Sequence, residues 1–102
     1  MTLSASEKKK FRQIAHHLDA VVMIGDQGVS EGVLQETERA LSDHELIKVK
    51  IAIVEREDRK AAAAALATAC NAELVHTIGK VVVLFRANKK ANPKLSNILR
   101  FT

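Results

Sequence analysis

Residues 21–30 read Val-Val-Met-Ile-Gly-Asp-Gln-Gly-Val-Ser, a short apolar strand entering a Gly-x-x-Gly loop that opens a helix. Gly25 and Gly28 permit positive φ and a bare backbone surface that a partner can approach without meeting a Cβ. That partner would face the unpaired N–H groups of the helix start and the positive end of its dipole, which together favour an anion, with phosphate first in line. Asp26 and Gln27 stand inside the loop. Ser30 is a good N-cap, with Val29 and Leu34 at hydrophobic-staple spacing. Two glycines before a helix also describe an ordinary tight turn, so the pattern needs company before it names a ligand.

Basic side chains supply some of that company. Lys8, Lys9, Lys10 and Arg12 fall largely off the apolar stripe of the first helix, and Lys48 and Lys50 alternate with a buried strand face. With Lys80 they form a candidate phosphate-contacting surface; solvated, unrelated lysines are the plainer reading of each. Other reactive types point nowhere. His16, His17, His44 and His76 lack paired ligand spacing, so no metal site is expected. Cys70 reads as a small buried hydrophobe. Gly79-Lys80 lacks the preceding glycine and following Ser/Thr of a P-loop, and no Gly-x-Ser-x-Gly element occurs. No catalytic residue, enzyme activity, cofactor or small-molecule substrate is expected.

Positive charge sits at the two ends of the chain. Residues 1–24 hold four basic and two acidic groups, 25–78 six and ten, and 79–102 six and none, giving the net +4. Such a patch suits phosphate, or simply solvated tails. With 102 residues, 47% apolar and 27% charged, the chain fits a single globular domain. One cysteine excludes an internal disulfide. No apolar run approaches a membrane span, and Met1-Thr2-Leu3-Ser4 does not begin a secretory signal. A cytoplasmic protein with no membrane contact is expected, and it is read as a monomer.

The elements that must hold these residues are a helix over 5–18 with a Ser4/Glu7 capping box, a strand over 21–24, and a helix over 31–42. A strand over 46–54 follows, with Ile47, Val49, Ile51 and Ile53 on one face. Asp58 then caps an alanine-rich helix that ends at Asn71, its small side chains implying close packing on the sheet. Strands 73–78 and 81–86 flank a two-residue turn at Gly79-Lys80. In that hairpin Ile78 faces Val81, His76 faces Val83 and Leu74 faces Phe85, with Val75 on the opposite face beside Val82 and Leu84. Both hairpin faces are apolar, so cover is needed on both sides, and the first helix can supply the second. The order α-β-α-β-α-β-β, with two β-α-β crossovers favouring parallel pairing, gives an α/β fold: one mixed four-stranded sheet with helices packed on it. The basic tail after Ala87 either docks as an amphipathic turn or stays disordered.

These segments resemble the stand-alone bacterial CRM-domain (chloroplast RNA splicing and ribosome maturation) RNA-binding proteins, the YhbY-like family. The matching residues are Leu18–Ile24 with Gly25-Asp26-Gln27-Gly28, Glu31-Gly32-Val33-Leu34, His44 to Lys50, and Val75–Gly79 with Lys80–Arg86. The resemblance implies residues 1–87 as a CRM-like RNA-binding domain and 88–102 as a basic C-terminal tail. It also implies a fold like the C-terminal domain of translation initiation factor three, with an added N-terminal helix. It further implies partnership with ribosomal RNA and pre-large-subunit particles, with Gly25–Gly28 on the RNA-contacting surface. Asp26 departs from a position where a basic or neutral residue is common, and Phe85 from a common Tyr. With Phe11, Phe85 and Phe101 as the aromatics, recognition by backbone and shape fits better than base stacking. The function expected is assistance to large-subunit assembly by binding precursor RNA. The alternative is an adaptor that docks an acidic partner protein through its basic ends.

Overall fold

A computed structural model describes residues 3–101; Met1, Thr2 and Thr102, the ends of the expected domain and tail, lie outside the described residues. The elements run α1 (Ala5–Ala15), β1 (Ala20–Ile24), α2 (Glu31–His44), β2 (Leu46–Ile51), α3 (Arg56–Ala69), β3 (Glu73–Ile78), β4 (Val81–Phe85) and α4 (Asn97–Arg100). This is the expected order with one short helix added from the tail.

Local chemistry sets the helix ends. At α1 the Ser4 hydroxyl accepts from the Glu7 amide while the Glu7 carboxylate accepts from the Ser4 amide, a reciprocal capping box. The helix closes at Ala15, short of Leu18, because the His17 and Leu18 amides turn back to the carbonyls of Ile14 and Ala15, a tighter last turn. Ser30 caps α2 through the Val33 amide at 3.2 Å. Glu55, not Asp58, is the N-cap of α3; Asp58 joins Glu57 in the first turn, where carboxylates complement the helix dipole. Asn71 stops α3 as expected: its φ is +55, and the Ala72 amide reaches back to the Ala67 carbonyl at 2.8 Å, a Schellman closure.

The strands form one mixed sheet in the order β1-β2-β4-β3. β1 is parallel to β2, while β2–β4 and β4–β3 are antiparallel. Thus β3 points along β2 as the crossover demands, but the expected direct pairing is replaced because β4 lies between them. Polarity explains the insertion: β4 is Val-Val-Val-Leu-Phe, whereas β3 carries Glu73, His76 and Thr77 and suits an edge. β2 stops at Ile51, not Val54, where its antiparallel partner runs out; the Ile51 amide bonds the Lys80 carbonyl at the hairpin tip, 2.6 Å away. In the hairpin Ile78 faces Val81 and His76 faces Val83 as expected, but Leu74 pairs with Leu84 in place of Phe85. A bulge between Leu74 and His76 inserts Val75 and turns it toward α1, where it packs with Leu46 and Val83.

Both sheet faces are covered, unequally. On one, Ile24, Val49, Ile51 and Leu84 pack against Leu41 of α2, Leu66 of α3 and Cys70, which caps α3. On the other, Leu46, Val75 and Val83 meet Phe11, Ile14 and Ala15 of α1. That helix shields the half of the face where β2 begins. Toward the end of β2, Val21, Met23 and Ile78 stay 51%, 60% and 53% exposed.

The tail docks. Glu45, just past α2, takes φ +62 and buries its carboxylate, which accepts from the Asn88 amide at 2.8 Å and the Ser96 hydroxyl at 2.6 Å. Asn97 donates to the Leu46 carbonyl at 2.7 Å, and Ser96 caps α4. The His17 ring stacks on Phe101, centroids 6.1 Å apart, so the two basic ends of the chain meet.

Candidate nucleic-acid interface

One edge of the sheet gathers the loop and two of the lysines. Ile24 of β1 lies opposite Ile51 of β2, and Ile51 bonds the hairpin tip. The turn after β1, the exit of β2 and the Gly79-Lys80 tip therefore line a single edge, and α2 and α3 both begin there. The carboxyl ends of parallel strands are where open α/β sheets hold ligands. In the turn, the Gly28 amide donates to the Gly25 carbonyl at 3.0 Å. Gly28 has φ +75 and Gly25 is not in the positive-φ region, so only one of the two glycines uses the freedom expected of both. A Cβ at either position would meet nothing within 4 Å. Asp26 and Gln27 are exposed at the turn, and Glu31 is exposed in the first turn of α2. Two carboxylates beside the helix start oppose a phosphate there, so the loop's assets are its amides and side-chain hydrogen bonds.

Lys50 is exposed in a row that runs Met23, Lys50, Val81, Ile78 across all four strands. Lys80 is exposed at the tip of the hairpin. Lys48 is half-buried and donates to the Leu18 carbonyl at 3.0 Å, which ties it to the α1–β1 connection. Lys9 and Arg12 line a cleft with His16 and His17 against His76 and Ile78 of β3. Ile78 ends β3 beside the hairpin tip and belongs to the Lys50 row. Lys8 is half-buried and Lys10 lies outside the cleft. The structure thus brings Gly25–Gly28, Lys50 and Lys80 to one edge, sets Lys9 and Arg12 in a cleft against β3, and leaves Lys8, Lys10 and Lys48 aside. Arg56 and Lys60 also open α3 at this edge and were not read from the sequence; Arg59 between them donates to the Ile53 and Val54 carbonyls at 3.0 and 2.6 Å. A helix that follows a strand starts at that strand's carboxyl end, so connectivity alone held the signal.

The remaining reactive groups are structural. Phe11 and Phe85 pack on each other with centroids 4.7 Å apart. Arg86 bonds both Glu38 oxygens at 2.9 Å and the Cys70 carbonyl at 2.8 Å. Burial pushes the Cys70 thiol above its ordinary 9.0; the Glu38 carboxylate adds to this and Arg86 opposes it. The His44 ring nitrogen lies 2.8 Å from the Leu95 carbonyl. Among the described residues no three His, Cys, Asp or Glu cluster as metal ligands, and no helix is long and apolar enough to cross a membrane.

Comparison with known proteins places this arrangement. A Pseudomonas aeruginosa protein named "Probable RNA-binding protein" is 50% identical over 101 residues, 99% of this chain and 97% of its own. A Haemophilus influenzae protein named "RNA-binding protein" is 45% identical over 94 residues, 92% and 95% of the two chains. The solution structure of a Staphylococcus aureus hypothetical protein superposes with TM-score 0.78 at 32% identity, covering 87% of this chain and 93% of that one. The model of the CRS1 / YhbY (CRM) domain matches residues 3–86, the sheet, its loop and the first three helices, and the chain belongs to that family.

Proposed function

We propose that this chain is a cytoplasmic, non-catalytic RNA-binding protein that docks on precursor large-subunit ribosomal RNA and assists assembly of the particle. The observation that carries the reading is the gathering of Gly25–Gly28, Lys50 and Lys80 on one sheet edge, with Lys9 and Arg12 reached across Ile78. Among the described residues nothing requires glycine at Gly25, which suits a backbone kept bare for an outside partner. The cations meet the phosphate backbone, and the loop amides with Asp26 and Gln27 hydrogen-bond ribose or base. The relatives' names support RNA as the partner. The protein works as a monomer that shields or orders RNA, without chemistry.

The test is a sucrose gradient of cell lysate probed for the protein, with and without nuclease. Enrichment in large-subunit precursor fractions that collapses on nuclease treatment is the expected result. Confinement to the light fractions removes the ribosomal assignment. Association that survives nuclease favours the adaptor reading, in which the joined ends around His17 and Phe101 meet an acidic protein.

A further inference from the structure

On the α3 side of the sheet, a groove of about 860 Å³ separates α3 from the β3–β4 hairpin. Its floor is Ile51, Val82 and Leu74, and its helical wall is Ala63, Ala64 and Ala67. The alanines were expected to bring helix and sheet into close contact. Much of that contact is made, with Ala63, Leu66 and Ala67 buried against Ile51 and Val82, but outside it the short side chains leave space over the exposed Ala64 and over Leu74, which is 40% exposed. Charge is confined to one end: Arg56, Arg59 and Lys60 open α3, and Lys80 sits across from them. Among the described residues no acidic one lines the groove, and beyond Lys60 the lining is uncharged, with Thr68 and Thr77 among it. From Arg56 to Ala67 the helix advances about 16 Å.

We infer that this groove accepts one unpaired nucleotide of the bound RNA, its base against Leu74 and Ala64 and its phosphates against Lys80, Arg56 and Lys60. The layout decides between occupants. An acidic amphipathic peptide carries charge along its length and calls for cations all along the groove. A single nucleotide is charged at one end and flat, apolar-faced and polar-edged at the other, as this groove is. Thr68 and Thr77 offer hydroxyl donors and acceptors to a base edge. Its mouth also lies on the edge that carries Gly25–Gly28, and Lys80 belongs to both, so a strand tracking that edge passes the opening. The inference rests on the RNA-binding reading.

The test compares an RNA hairpin bearing a single-nucleotide bulge with the same hairpin fully paired, using the full-length protein. The expected preference for the bulge is about tenfold, equivalent to ~1.4 kcal/mol. Ala64 is exposed and lines the groove, so Ala64→Phe fills the space without touching the core, and Ala64→Met does so more gently with a good helix former. Both variants, checked by circular dichroism, abolish the preference while binding the paired hairpin as the wild type does. Equal wild-type affinity for the two hairpins, or a preference that survives both substitutions, overturns the groove and leaves the RNA interface standing. Failure to bind either hairpin overturns the RNA-binding reading and the groove with it. An acidic amphipathic peptide that shifts the Leu74 and Val82 methyl resonances, where the bulged hairpin leaves them unmoved, assigns the groove to a protein instead.

Discussion

Gly28 and Glu45 both hold left-handed backbone, at φ +75 and +62, for different reasons. At Gly28 the conformation aims the turn outward and no atom crowds it. Gly28→Asp therefore costs about 1–2 kcal/mol of backbone strain, leaves the fold intact by circular dichroism, and places a second acid in the loop. Its affinity for structured RNA should fall at least tenfold in a filter-binding titration; unchanged affinity would remove the loop from the interface. Glu45 tolerates the same strain because its buried carboxylate satisfies Asn88 and Ser96. Glu45→Ala strands both donors, costing about 2–3 kcal/mol. The melting temperature should drop, and trypsin should cut after Lys89 and Lys90 sooner than in the wild type. Cys70 carries a pH prediction. Its folded thiol holds its proton above 9.0, so as pH climbs past that value the unfolded chain loses a proton that the native state keeps. Stability is complete below about pH 9 and declines above it. Cys70→Ala should flatten that alkaline decline in urea melts at successive pH values, while lowering stability at neutral pH.

Elements defined by near neighbours were legible in the sequence; those defined by distant ones were not. The Ser4/Glu7 box, the Ser30 cap, the Asn71 stop and the Gly79 turn each depend on residues within five positions, and each is present. The position of β4 depends on which strand most needs burial, a competition decided across 40 or so residues, and the crossover rule alone assigned that neighbour wrongly. The Val75 bulge follows from the demand for an apolar side chain under α1, which no window around Val75 displays. In the site, Lys50 and Lys80 followed from strand alternation and turn position, whereas Arg56, Arg59 and Lys60 required knowing where α3 begins. Cover by α1 has its own measurable consequence. Phe11 is 6% exposed and packs on Phe85, so Phe11→Ala should cost about 3–4 kcal/mol in urea unfolding. RNA affinity should fall with it, because Lys9 and Arg12 lose the support that holds them beside β3; full affinity would separate α1 from the interface.

Across the whole molecule, charge that the sequence puts at opposite termini ends up on neighbouring surfaces, since the tail folds back onto α1. If about five phosphates are contacted, log affinity should decline with log salt at a slope of about −3.5 to −4.5, depending on RNA form. Titrations between low and physiological salt measure it, and a slope near zero would exclude backbone contacts as the source of affinity. Charge partition was readable from residue counts alone; the docking of the tail was not, because it hangs on Glu45, an acid that the sequence gives no reason to place indoors. The strand order has a further consequence, for how the molecule comes into being. β2 must bond β4 along one side, yet Ile51 leaves the translating ribosome 34 positions before Phe85. At ~5–20 residues per second of synthesis, that gap lasts roughly two to seven seconds. Until it closes, Ile47, Val49 and Ile51 stand on a strand with one flank unpaired, and the middle of the sheet is completed only when β4 has been made. The sheet cannot close before that strand appears, and the interval until then is when the chain most needs protection from aggregation.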